Sequence, residues 1–404
     1  MTRASSRRLA VVLFSNLFPT PTEPTRGVFN LQLAKALQEF CDVTVVCPLP
    51  WFPRHALFRR FARWYTFAGV PARYDVEGVR VESPKYPMIP RISGGIQARL
   101  VAAAARPVVA RLLREGRCDV INAHWLYPDG VAAERIGSAL DVTVVPAALG
   151  CDINRMMGEP DKRSQIAGML QRSPRIVAVS GALTDRIVQI GVPRARVTTI
   201  PNGVDIDRFR PLSRTDCRQR LDIPACAKLI LFVGRLSEEK GVDTLIDAME
   251  RICATGQPAQ LTLVGDGPLR AALSERVDKS GLRERIRFAG SMPHAEVSRW
   301  MGACDVFCLP SLREGCPNVI NEALASGRPV VASSVGGIPD MVAPHCGKLV
   351  PPADPQRLAD ALTWALATTW NADELAQSMA NKSWRTAALR YFELLRESAG
   401  APES

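Results

Sequence analysis

Three features of the chain predict a parallel α/β architecture in two nucleotide-binding-type domains. Short β-rich apolar runs alternate with longer helical stretches from Leu9 onward, the pattern of strands covered on both faces by crossover helices. The alternation halts at a turn signal, Pro201-Asn202-Gly203-Val204-Asp205, and at the polar stretch 208–227 with its two prolines. It then restarts, and each half has the size of one domain.

In the first half, strands are predicted over 9–14, 43–47, 79–81, 120–122, 142–145, 176–179 and 197–200, with helices over 30–40, 96–114 and 182–190. In the second half, strands are predicted over 229–233, 260–264, 286–288, 306–309, 329–332 and 348–350. Helices over 242–255, 269–280, 294–301, 318–325 and 355–368 separate or follow them. The last amphipathic stretch, with Trp384, Leu389, Phe392 and Leu395, is expected to form a helix that packs back across both domains. The expected division is 1–205, 206–370 and the helix 371–404. Two such halves place a ligand site in the cleft between them, outside the carboxyl ends of the strands.

A composition that is 47% hydrophobic and 23% charged excludes a disordered chain. No apolar run approaches the roughly 18 residues needed to cross a bilayer. Arg3, Arg7 and Arg8 precede an apolar run, but Asn16 and Pro19 follow where a cleavage site is expected, so 9–14 is read as a buried strand and not as an export signal. Eleven scattered cysteines, an odd number with no CxxC pair, point to a reducing, cytoplasmic compartment, and four isolated histidines give a metal site no support. The net charge of +11 invites nucleic acid, yet no nucleic-acid-binding signature accompanies it. A phosphorylated substrate or the anionic inner face of a membrane fits the charge as well. Residues 51–65 interleave Trp, Phe and Arg as in segments lying at a lipid interface, or else form an ordinary basic loop with buried aromatics.

Two motifs carry chemistry. In Leu231-Phe-Val-Gly-Arg-Leu-Ser-Glu-Glu-Lys-Gly241 an apolar strand ends at Gly234 and delivers two cations to a helix start. Arg235 can fork onto a diphosphate and Lys240 can act as a point charge, or both are solvated surface residues. Pro310-Ser-Leu-Arg-Glu-Gly-Cys-Pro-Asn-Val-Ile-Asn-Glu322 follows the next apolar strand. Glu314 and Gly315 sit in its loop, Asn318 and Val319 offer N–H groups to phosphate, and Glu322 stands about one helical turn on, placed to accept from ribose hydroxyls.

With Gly27, Asn202-Gly-Val-Asp205, Gly265-Asp-Gly-Pro268, Ala323-x-Ala-x-Gly-x-Pro-Val-Val-Ala332 and Gly336-Gly-Ile-Pro339, these motifs make the chain resemble the family 4 glycosyltransferases of GT-B fold, from its first strand to about Pro355. The resemblance implies two Rossmann-like domains whose parallel sheets face each other across a cleft. It implies that Arg235 and Lys240 hold the donor diphosphate, that Glu314 contacts the sugar and Glu322 the ribose, and that Gly27 and Gly265 let backbone approach the donor. Asn122-Ala-His-Trp-Leu-Tyr-Pro-Asp-Gly130 is similar to a segment of members that build bacterial surface polysaccharides. There His124 is a candidate for catalysis or acceptor binding, or a buried structural histidine. Many members read His-Gly-x-Asp where this chain has Leu149-Gly150-Cys151-Asp152. Leu149 cannot hydrogen-bond a sugar, which leaves Asp152, Asn154 and Asn202 as acceptor-side candidates, with Ser180 behind them.

The implied activity is retaining transfer of a hexose-type sugar from a nucleotide diphosphate sugar to a hydroxyl of a lipid-linked or glycan acceptor. The implied route is front-face displacement, with Arg235 and Lys240 carrying the leaving group's charge and no metal or other cofactor. Asp205-Ile206-Asp207 spells a DxD, but in an interdomain turn, and is not read as a metal site. A sugar-nucleotide epimerase of the same fold and a catalytically silent scaffold are the competing readings.

Overall fold

The computed structural model describes residues 7–51, 66–88, 94–154 and 156–400, which divide into two compact units. One runs to Asn202 and resumes at Trp384; the other is Gly203–Ser383.

In the first unit the strands are β1 (Ala10–Phe14), β2 (Asp42–Val46), β3 (Leu49–Trp51), β4 (Arg73–Val76), β5 (Val79–Glu82), β6 (Lys85–Pro87), β7 (Val120–His124), β8 (Thr143–Ala148), β9 (Ile176–Ala178) and β10 (Val197–Thr199). Eight of them form a sheet in the order β10-β9-β8-β7-β1-β2-β5-β4, parallel except where β4 runs against β5, while β3 and β6 pair separately. Helices α1 (Val28–Leu37), α2 (Gln97–Arg114), α3 (Val131–Leu140), α4 (Pro160–Arg172) and α5 (Gly181–Gln189) connect them. Every residue of β1 is buried because β2 and β7 flank it and helices cover both faces, which is why its sequence is unbroken apolar. Val101, Ala105, Val109 and Leu112 of α2 fill one face.

The second unit is the simpler. Its strands are β11 (Lys228–Val233), β12 (Ala259–Val264), β13 (Ile286–Gly290), β14 (Val306–Leu309), β15 (Val330–Ser333) and β16 (Gly347–Val350). They form an all-parallel sheet in the order β13-β12-β11-β14-β15-β16. Its helices are α6 (Arg214–Arg220), α7 (Val242–Ala254), α8 (Arg270–Lys279), α9 (His294–Ala303), α10 (Asn318–Ala325), α11 (Pro355–Ala367) and α12 (Ala372–Gln377).

The C-terminal stretch departs from the expected single helix over 371–404. It breaks after α12, which stays in the second unit, and resumes as α13 (Trp384–Ser398) in the first. The break is held where the chain first enters the second unit: the Val204 N–H donates to the Lys382 carbonyl at 2.9 Å. The boundary accordingly falls after Asn202, not after Asp205. α13 packs along α1 and buries Ala387, Ala388, Tyr391, Leu394 and Leu395, an i, i+3/i+4 stripe that closes the second face of the first sheet.

Candidate functional site

A doubly wound sheet gathers its ligands outside the carboxyl ends of the strands, at the point where strand order reverses. In the second unit that point lies between β11 and β14, and the loops leaving these two strands carry both sequence motifs. Lys240 Nζ lies 2.6 Å from Glu314 Oε1, and the Ser311 hydroxyl donates to the same oxygen at 2.6 Å. The Leu312 N–H donates to the Glu239 carbonyl at 2.8 Å, so backbone as well as side chain fastens one loop to the other. The Glu314 side chain is 9% exposed and that of Lys240 22%, which leaves the pair largely out of water and its attraction correspondingly strong. Ser311 was not among the expected residues, although its place three residues before Glu314 in the same loop was the available signal.

Arg235 stands exposed beyond β11, with Gly234 between; its carbonyl accepts from the Ser237 N–H at 3.0 Å, while its guanidinium makes no hydrogen bond or ion pair among the described residues. α10 begins at Asn318 and Val319 with no side-chain cap and no acidic residue in its first turn, so its dipole favours an anion there. The Gly315 carbonyl accepts from the Gly337 N–H at 2.8 Å, which shapes the approach to that helix. Glu322, one turn in, is half-buried, and burial pushes its pKa up to about 7, with Arg208 pulling it down and Asp205 opposing that pull. Asp205 in turn accepts from the Arg208 N–H at 3.1 Å and lies 3.6 Å from its guanidinium. Gly265, with φ +128°, acts through protein packing: a Cβ there would sit 2.0 Å from the Gly234 carbonyl oxygen, which presses the β12 loop against the one that carries Arg235.

In the first unit strand order reverses between β1 and β7, and the structure reassigns several candidates there. Gly27 caps α1 at φ +58°, where a Cβ would lie 2.2 Å from the Leu17 carbonyl oxygen. The demand for glycine therefore comes from the protein's own loop, before any phosphate is considered. His124 does not face open space. It is 2% exposed, its Nε2 lies 2.8 Å from Asn122 Oδ1, its Nδ1 has no partner, and its ring stands 5.6 Å from that of Tyr391. Burial drops its pKa to about 3, so it is neutral and belongs to the core as a structural histidine.

Asp152 is likewise corrected from acceptor contact to loop anchor. Its buried carboxylate accepts from the N–H groups of Leu126, Leu149, Gly150 and Ile153. Leu149 packs its side chain on the core that includes α13. Ser180 caps α5, its hydroxyl accepting from the Leu183 N–H at 3.3 Å. Asn154 closes a single helical turn, Cys151–Asn154, and Asn202 is the last residue before the second unit.

One group in this unit was quoted in a motif but not singled out. Asp129 is fully buried beside the reversal point; its Oδ2 accepts from the Asn16 N–H at 3.0 Å, and its Oδ1 has no partner. The Asn16 carbonyl accepts from Arg26 Nε at 3.0 Å, so Asp129 and Arg26 hold the β1–α1 loop between them. Burial pushes the Asp129 pKa up to about 8. The folded protein then keeps a proton that the unfolded chain releases near pH 4, and this group subtracts stability as pH rises from about 4 to about 8. Asp129→Asn, which is neutral throughout, should lose less Tm between about pH 5 and pH 8 than the parent in thermal denaturation. An unchanged slope would contradict the assignment.

Among the described residues no three His, Cys, Asp or Glu side chains converge as metal ligands, and no helix is long and apolar enough to cross a membrane. Residues 52–65 of the basic aromatic segment lie outside the described residues.

Known proteins resemble this chain over most of its length. Residues 27–208 match the model described as Glycosyltransferase Family 4, and residues 227–368 the model described as Glycosyl transferases group 1. A putative teichuronic acid biosynthesis glycosyltransferase of Bacillus subtilis is 28% identical over 88% of this chain and 88% of its own. A 2-deoxystreptamine glucosyltransferase of Streptomyces kanamyceticus is 30% identical over 79% of this chain and 87% of its own. Among solved structures, an Anabaena protein in complex with UDP superposes with a TM-score of 0.72 at 22% identity, covering 96% of this chain and 100% of the other. The fold is GT-B.

Proposed function

We propose, from the premise that this chain belongs to glycosyltransferase family 4, that it moves a hexose-type sugar with retention of configuration from a nucleotide diphosphate sugar to a hydroxyl of a lipid-linked or glycan acceptor in bacterial polysaccharide biosynthesis. The observation that carries the reading is the meeting of Lys240 with Glu314 at the β11/β14 reversal, beside the unpaired Arg235 and the uncapped start of α10. A leaving diphosphate needs positive charge and N–H donors, and both are gathered at that one edge.

As the bond from the anomeric carbon to the diphosphate breaks, charge grows on the phosphate oxygens. Arg235 and Lys240 stabilise it, and the acceptor hydroxyl, attacking from the same face, passes its proton to a phosphate oxygen. Glu314, oriented by Lys240 and Ser311, accepts from a sugar hydroxyl, and Glu322 from the ribose. Protein cations do the work in this scheme, so neither metal nor other cofactor enters it. The teichuronic acid biosynthesis named for the Bacillus relative supports a polysaccharide acceptor. The charge of +11 and Trp51, 57% exposed at the end of β3, support action at the inner face of a membrane.

Incubation with a panel of nucleotide sugars and a polyprenyl-diphosphate-linked acceptor, with the product's anomeric configuration read by NMR, tests the proposal. Transfer with retention is expected; an epimerised donor without transfer would replace it with the epimerase reading. Because only the Glu322 carboxylate accepts both ribose hydroxyls, nucleotide-sugar affinity should rise as pH climbs through about 7, up to about ten-fold between pH 6 and pH 8. Calorimetric titration across that range should show the rise in the parent and its absence in Glu322→Gln.

A further inference from the structure

At the opposite edge of the first unit, at the amino-terminal ends of β1, β2 and β5, lies a recess of about 510 Å³ that the donor site does not use. Its lining includes Arg8, Asp42, Thr44, Arg80, Gly116 and Arg117. Two of its guanidinium groups are held in place. Arg8 donates from Nη2 to the Gln38 carbonyl at 2.7 Å, and Arg117 donates from Nη2 to the Thr44 hydroxyl at 2.9 Å. The third, Arg80 on β5, makes no hydrogen bond or ion pair among the described residues. The Gln38 side chain closes one side by donating to the Gly78 carbonyl at 3.1 Å.

Against these three cations the lining carries one carboxylate, Asp42, which is largely exposed and 3.9 Å from Arg8. Glu115, 3.6 Å from Arg117, is a neighbour outside the lining. A concave surface with surplus positive charge focuses the field on whatever enters it, and guanidinium forks match phosphate oxygens two at a time. The volume falls within the range of small-molecule sites. Parallel α/β sheets place their substrates at the carboxyl ends of strands, so a cationic recess at the amino ends has no part in sugar transfer.

We propose that this recess is a second, phosphate-binding site, in which Arg8, Arg80 and Arg117 take the phosphate group of a soluble phosphorylated metabolite or of a phospholipid head group. The test uses the full chain carrying Arg235→Ala and Lys240→Ala, which removes phosphate binding at the donor site, and inorganic pyrophosphate as the probe in calorimetric titration. Binding should persist in that background and weaken at least about ten-fold on adding Arg80→Glu or, independently, Arg80→Gln. The Arg80 side chain is exposed, so both variants should stay folded, with Tm nearly unchanged in Arg80→Gln and slightly lower in Arg80→Glu, which faces Asp75 across the β4–β5 pair; Tm is checked in parallel.

Sedimentation with phosphatidylglycerol vesicles separates the two sources. Loss of vesicle binding by the parent chain on Arg80→Glu identifies the lipid head group, whereas pyrophosphate binding with vesicle binding absent or unaltered identifies the soluble ligand. The proposal is overturned if pyrophosphate fails to bind the double variant and vesicle binding is indifferent to Arg80→Glu, or if pyrophosphate binds equally well without Arg80.

Discussion

Arg235→Ala is expected to lower the rate of sugar transfer by roughly 100- to 1,000-fold while leaving Tm unchanged. The two halves of the expectation have one cause. The guanidinium is exposed and bonded to nothing in the protein, so removing it deprives only the ligand. Its work is greatest when the diphosphate is leaving, and the loss should therefore fall more on kcat than on KM. Arg235→Lys keeps the charge but not the fork, and should recover part of the rate. Steady-state kinetics beside thermal denaturation reads all of this, and a rate within a few-fold of the parent would remove Arg235 from the site.

Glu314→Ala should also cost about 100-fold or more in transfer, but with a loss of stability that Arg235→Ala does not show. Glu314 is 9% exposed and joined both to Lys240 and to Ser311, so truncation leaves a partly buried ammonium and a hydroxyl without their acceptor. The cost should be about 2 kcal/mol, below that of a fully buried pair because Lys240 can still turn toward water. Adding Lys240→Ala should return part of that stability and none of the activity. Such a double-mutant cycle in denaturant, with coupling near zero, would show that the two side chains do not act as a unit.

The second unit was legible in the sequence almost strand by strand. Its sheet is parallel and covered on both sides, so each strand reads as a solid apolar run, and turn residues such as Gly234 and Pro310 stand where the strands end. The first unit hid more. β3, β4 and β6 are three or four residues long, two of them contain proline, and none is long enough to show a period. α4 was missed because its thirteen residues bury only Ile166, Met169 and Leu170, and α3 because Gly137 and Ser138 interrupt its pattern.

The candidate site divides along the same line. Residues that act by their own charge on the loops after a strand, Arg235 and Lys240, can be named from type and position. Residues whose role depends on burial cannot. His124 stood between an acceptor contact and a buried structural histidine, and Asp152 among the acceptor candidates; one is a neutral ring against Tyr391 and the other a carboxylate already filled by backbone N–H groups. The C-terminal helix explains part of this: Tyr391 comes from α13, more than 250 residues along the chain from His124, and no local pattern announces that contact.

The central claim is that the β11/β14 reversal binds the nucleotide diphosphate. It is tested most directly by calorimetric titration of a nucleoside diphosphate into the parent chain and into the Arg235→Ala Lys240→Ala variant, with Tm showing both folded. The parent should bind, and the variant should bind at least about 100-fold more weakly, each lost charge-assisted contact contributing a factor of about ten or more. Equal affinity in the two chains would place the donor elsewhere and contradict the account.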